Sequence, residues 1–131
     1  MCAPSLDAGV VPRLDALPIG ALLNHLTRPD GWERLFSQEG LTVPSLQGVR
    51  AYEHLFMVLE AARLGQGFAL VPLFLVEQEL KDGTLVRPCP QTLQPGEAYY
   101  LLQRRVASSG SVGVFRSWLI EEAAKEQGRP N

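Results

Sequence analysis

One stretch, Tyr52 to Pro72 (YEHLFMVLEAARLGQGFALVP), sets the grammar for the whole chain. Leu55, Val58, Leu59 and Ala62 recur at i, i+3, i+4 and i+7, so they share one face of a helix, while Glu60 and Arg63 fall off it. Gly65 stands just past the last periodic residue, where a left-handed cap favours glycine. Gly67 admits a tight turn into Phe68-Ala69-Leu70-Val71, an apolar run too short for a helix and suited to a buried strand. Pro72 stops that strand and is tolerated at the start of a following helix. Helix, glycine turn, buried strand, proline and helix in that order predict an α/β domain.

The flanking sequence extends this pattern. Leu22-Leu23-Asn24-His25-Leu26 reads as a strand. Asp30, three before Glu33, predicts a capping box for a helix from about Gly31 to Gly40, with Trp32, Leu35 and Phe36 on one side. A short strand is expected at Gly48–Tyr52, after a loop broken by Pro44. A helix over Leu73–Leu80 should close at Asp82-Gly83, and Thr84–Pro88 should form another short strand. Ala98-Tyr99-Tyr100-Leu101-Leu102 is the best strand candidate outside the central stretch. A last helix follows Ser108–Ser111, with Val112, Phe115, Leu119 and Ala123 along one face, joined by Trp118.

Composition narrows the function classes. With 131 residues and a net charge of -2, the chain is one ordinary domain, and Arg104-Arg105 is its only basic doublet. A nucleic-acid surface needs clustered Lys and Arg, so no direct nucleic-acid contact is expected. No apolar run reaches the length of a membrane span, and Met1-Cys2-Ala3-Pro4 lacks the charged and apolar regions of a signal peptide. Cys2 and Cys89 read as two thiols in a reducing cytoplasm rather than a disulfide framework. His25 and His54 have no metal partner at i+3 or i+4, so no metal or cofactor is expected. Gly65-Gln66-Gly67 follows a helix and precedes a strand, the reverse of a dinucleotide fingerprint. No G-x-S-x-G elbow is present. An enzyme reading therefore has no constellation to stand on, and no catalytic residue is assigned.

The motifs do carry a family resemblance. Tyr52-Glu53, then Ala61-Ala62-Arg63-Leu64-Gly65-Gln66-Gly67, then Phe68-Ala69-Leu70-Val71-Pro72 resemble the effector-binding domain of LysR-type transcriptional regulators. The similarity is strongest to the branch that includes the glycine-cleavage activator and the β-lactamase regulator. Cys2-Ala3-Pro4-Ser5-Leu6, Pro12–Leu17, Thr27-Arg28-Pro29-Asp30-Gly31-Trp32, Glu79–Pro88 and Phe115-Arg116-Ser117-Trp118-Leu119 resemble further family phrases, in family order.

The resemblance implies a type II periplasmic-binding-protein-like α/β fold. Residues 1–103 would form its second lobe with the crossing strands, and residues 104–131 a return segment and helix belonging to the first lobe. The family would place a first half-lobe and a helix-turn-helix ahead of Met1. The resemblance also implies a small-molecule effector, such as an anionic metabolite, held between lobes by Thr27, Arg28, Tyr52, Glu53, His54 and Tyr99. Three of them have a plainer reading: His54 as a surface residue, Arg28 paired to Asp30 or Glu33, Tyr99 as core. The rival to a sensor is a standalone or remnant interaction module that self-associates through its last helix, because an uncovered apolar face marks an association site.

Overall fold

The computed structural model describes residues 1–6, 13–94, 100–102 and 110–127. The chain divides into two compact units, residues 1–95 and 96–131.

The first unit is built on a parallel three-stranded sheet. Its strands are β1 (Leu22–His25), β2 (Arg50–Tyr52) and β3 (Phe68–Ala69), in the spatial order β2-β1-β3. Leu23, Asn24 and His25 pair with Arg50, Ala51 and Tyr52, while Leu22 and Leu23 pair with Phe68 and Ala69. The helices α1 (Gly31–Gln38) and α2 (Leu55–Arg63) connect them. One crossover leaves the central strand for β2, and the other returns past it to β3. Right-handed crossovers running in opposite lateral directions must lie on opposite faces of a sheet.

The packing follows that rule. Leu22 and Phe68 pack with Trp32, Leu35 and Phe36 of α1, together with Cys2, Leu14 and Leu17. Their neighbours Leu23 and Ala69 pack on the other face with Val58, Ala61 and Ala62 of α2, joined by Val76 and Leu85. The two-residue alternation of a strand thus feeds two cores, which explains why β3 and the first half of β1 are apolar at consecutive positions. Each fully buried Leu or Val contributes about 1.5–3 kcal/mol.

Local chemistry fixes the joints. Gly65 adopts φ 70°. Its N–H donates to the Ala62 carbonyl (3.1 Å), and that of Gln66 donates to the Ala61 carbonyl (2.9 Å). This paired closure satisfies the last carbonyls of α2. Gly67 is required by close approach, since a Cβ there would lie 2.1 Å from the Ala21 carbonyl oxygen.

Several sequence expectations are corrected. The capping box at α1 does not form: Asp30 takes helical angles (φ -85°, ψ 0°) and its side chain makes no cap bond. Its carboxylate lies 3.9 Å from Arg34 instead. The single helix expected at Leu73–Leu80 is a 3-10 turn (Leu73–Leu75) followed by α3 (Glu77–Asp82). The break falls at Val76, whose φ of -129° turns its fully buried side chain into the second core. The strand expected at Thr84–Pro88 reduces to one antiparallel bridge between Cys2 and Val86. The amide of the preceding Leu85 turns back to the Glu79 carbonyl at 3.1 Å. Leu14–Ala16 form a 3-10 turn, within which Asp15 is ion-paired to Arg13 at 2.7 Å. Phe74, in the Leu73–Leu75 turn, is exposed.

In the second unit, Ser111–Gln127 form α4. The rings of Phe115 and Trp118 lie 5.6 Å apart, and both are more than half exposed, so Trp118 is not a core residue. At 100° per residue, Val112, Phe115, Leu119 and Ala123 share a face, but Val114 and Trp118 fall well off it. The expected strand at Ala98–Leu102 lies partly outside the described residues, and Tyr100–Leu102 belong to no strand. The expected boundary at 103/104 also falls outside the described residues.

Candidate functional site

In an open parallel sheet, ligands bind beyond the carboxyl ends of the strands, where neighbouring connections depart to opposite faces. Here that point lies between β1 and β2. The β1 connection leaves toward the α1 face, and the β2 connection toward the α2 face. The end of β1 supplies His25, Leu26, Thr27 and Arg28, and the end of β2 supplies Glu53 and His54. Thr27, Arg28, Glu53 and His54 are all exposed there.

The two corners are tied together. The Leu26 N–H extends the ladder past the strand end by donating to the Tyr52 carbonyl at 2.9 Å. His25 Nε2 lies 3.1 Å from the Glu53 carbonyl oxygen. The Thr27 hydroxyl approaches the same ring, 3.2 Å from Nε2 and 3.4 Å from Nδ1. On the α1 side, the Asn24 side chain accepts from the His25 N–H at 2.9 Å and donates to the Pro29 carbonyl at 3.3 Å.

His54 stands at the N-cap of α2 with extended angles (φ -113°, ψ 139°) and makes no side-chain cap bond. Its carbonyl accepts from Met57 (3.0 Å) and Val58 (3.3 Å). The amides of Leu55 and Phe56 therefore precede the first intrahelical bonds, at the positive end of the helix dipole. Such an end attracts a carboxylate or phosphate. The His54 ring stacks on Phe56 at 5.6 Å, with 15° between planes.

Tyr52 and Tyr99 stand differently. The Tyr52 hydroxyl donates to Gln66 Oε1 at 3.1 Å, beyond the far end of α2, so the side chain is directed away from the crevice. Arg50, two residues earlier on the same face of β2, also donates to Gln66, through its carbonyl. Tyr99 lies outside the described residues. Sequence reasoning missed His25, which it weighed only as a metal ligand. The signal that marks it is its place as the last residue of a central parallel strand. A shallow concavity of about 530 Å³ lies elsewhere, lined by Glu33, Arg34, Ser37 and Gln38 of α1 with Leu93 and Gln94. It is closed on one side by the Gln38 amide, which donates to the Thr92 carbonyl and accepts from the Gln94 amide, so it serves to strap that loop.

Among the described residues no group of three His, Cys, Asp or Glu could hold a metal ion. No helix among them is long and apolar enough to cross a membrane.

In α/β units, small molecules bind where adjacent strand ends meet a helix start at the switch point. The chain belongs to the LysR substrate binding domain family, whose model matches residues 11–124. It is 34% identical over 130 residues to the glycine cleavage system transcriptional activator of Escherichia coli (strain K12), covering 97% of this chain and 42% of that protein. It is 32% identical over 130 residues to the HTH-type transcriptional activator AmpR of Pseudomonas aeruginosa, covering 96% and 42%. The crystal structure of the effector domain of that AmpR superposes with a TM-score of 0.76 at 31% identity, covering 95% of this chain and 60% of that one. The chain thus spans less than half the length of these two regulators. Both are named as transcription activators, not enzymes.

Proposed function

We propose that this chain forms one wall of a small-molecule effector site in a LysR-type regulator of transcription. The observation that carries the reading is the meeting of the β1 end with the start of α2 at the switch point. There the Leu55 and Phe56 amides donate to an anionic group on the effector, and Thr27, Arg28, Glu53 and His54 border it. Tyr52 supports the wall from behind through Gln66. By the family resemblance, Tyr99 is assigned to the same set.

In this reading residues 1–103 are the second lobe, and residues 104–131 return to the first. Closure of two lobes on the effector shifts the population of conformations that set how a regulator sits on its operator. The protein works in the cytoplasm, and this chain makes no nucleic-acid contact of its own, in keeping with its net charge of -2. No bond is made or broken.

The test is an NMR titration of the labelled chain with a panel of small carboxylates, including amino acids and hydroxy acids, against chloride at equal ionic strength. Saturable shifts centred on Leu55 and Phe56 are expected for at least one carboxylate. Shifts absent there for the whole panel sink the reading.

A second reading is favoured by α4, which carries Val112, Val114, Phe115, Trp118 and Ile120 exposed. In it the chain is an interaction module that self-associates through that helix.

A further inference from the structure

We propose that His25 is a positioning residue of the candidate effector site: its ring holds the corner between β2 and α2 so that the first amides of α2 face the crevice. The inference rests on the effector-site reading and adds to it a residue that contacts no effector itself.

The geometry fixes the chemistry. A carbonyl oxygen only accepts, so the 3.1 Å contact between His25 Nε2 and the Glu53 oxygen requires a proton on Nε2. The neutral ring then presents a lone pair at Nδ1, toward which the Thr27 hydroxyl, 3.4 Å away, can donate. The opposite neutral tautomer would set the Nε2 lone pair against the Glu53 oxygen, which is repulsive. The Glu53 carbonyl therefore selects the tautomer, since the Thr27 hydroxyl approaches both Nε2 (3.2 Å) and Nδ1 (3.4 Å), and the tautomer holds the corner.

The corner matters because little else fixes it. His25 is opposite Tyr52 in the ladder, and the last backbone bond between the strands is the one from Leu26 to the Tyr52 carbonyl. Glu53 and His54 lie past that bond, in a bend before α2, and His54 makes no side-chain cap. The His25 ring thus carries the restraint one residue further, to the Glu53 carbonyl. The peptide orientation there sets the direction from which Leu55 and Phe56 present their N–H groups.

The experiment compares the unsubstituted chain with His25→Gln and His25→Phe. Glutamine can place its amide N–H near the position of Nε2, whereas phenylalanine keeps the ring without the donor. Nitrogen-15 shifts of His25 report its tautomer. Titration with sodium acetate, against sodium chloride, reports the response of the Leu55 and Phe56 amides. Thermal midpoints check that the two variants are equally folded. The expected result is the Nε2–H form, with acetate response retained in His25→Gln. His25→Phe should bind acetate about three- to tenfold more weakly, the scale of one lost hydrogen bond. A His25 proton on Nδ1, or equal acetate response in both variants, overturns the positioning role. No acetate response in any of the three chains, with the proton still on Nε2, instead overturns the effector-site reading and the positioning role with it.

Discussion

Single residues fix this fold where the backbone leaves no room. Gly67 sits where β3 enters beside β1, and a Cβ there meets the Ala21 carbonyl at 2.1 Å and the Leu23 side chain at 3.0 Å. Gly67→Ala must push β3 away from β1, and we expect a loss of about 2 kcal/mol or more in urea unfolding. The glycine was legible in sequence as a turn residue. Its contact with Ala21 was not, because those residues are distant in the chain. Asp82 shows a second residue-level device. Its carboxylate accepts from the Thr84 hydroxyl (2.6 Å) and the Thr84 N–H (3.0 Å). These bonds, the hydroxyl's first, hold its pKa below the ordinary 3.8. A carboxylate with a depressed folded pKa contributes stability that is present above 3.8 and lost as pH falls through the folded value. In Thr84→Val, an NMR titration should place the Asp82 midpoint higher than in the unsubstituted chain. An unchanged midpoint would show that the hydroxyl has no part in it.

At the scale of elements, periodicity proved a good guide where a helix buries one face. α2 is Leu55–Arg63, with Val58, Ala61 and Ala62 buried, and its closing glycine is where the pattern ends. α1 buries Trp32, Leu35 and Phe36 as expected, yet its cap differs because Asp30 is already helical. What seats α1 on the sheet is the Trp32 indole, whose Nε1–H donates to the Leu23 carbonyl at 2.9 Å in a buried setting. Trp32→Phe keeps most of the apolar contact and strands that carbonyl, so a loss of about 1–3 kcal/mol is expected from thermal or chemical unfolding. The segment after Pro72 splits into a 3-10 turn and α3 because Val76 leaves the helical range at φ -129° while its side chain enters the second core. Thr84–Pro88 has the composition of a strand, but only Val86 forms a strand-like bridge. Strand pairing depends on a neighbour, and the neighbour here is Cys2, far away in sequence.

For the molecule as a whole, the effector-domain reading and the self-association reading make separable predictions. α4 presents Phe115 and Trp118 more than half exposed. If that surface pairs copies of the chain, sedimentation should show a mass rising with concentration, and Trp118→Glu should return it to the monomer. A monomer mass at every concentration, with saturable carboxylate shifts at Leu55 and Phe56, would leave the sensor reading standing alone. Of the candidate site, Thr27, Arg28, Glu53 and His54 were legible as strand ends and a helix start, and the structure sets the ends of β1 and β2 side by side. Tyr52 was placed there by resemblance, but its hydroxyl is committed to Gln66.

The sequence by itself determined the order β1-α1-β2-α2-β3, the apolar faces of α1 and α2, the glycine joints around α2 and the family. These are local properties, carried by spacing and by backbone angles that only some residues adopt. Tertiary structure alone decided the strand order β2-β1-β3, the division of Leu22 and Leu23 between two cores, and the bond from His25 to Glu53. Each of these joins residues far apart along the chain. No local pattern encodes such contacts, because they exist only once the crossovers have brought the strands together.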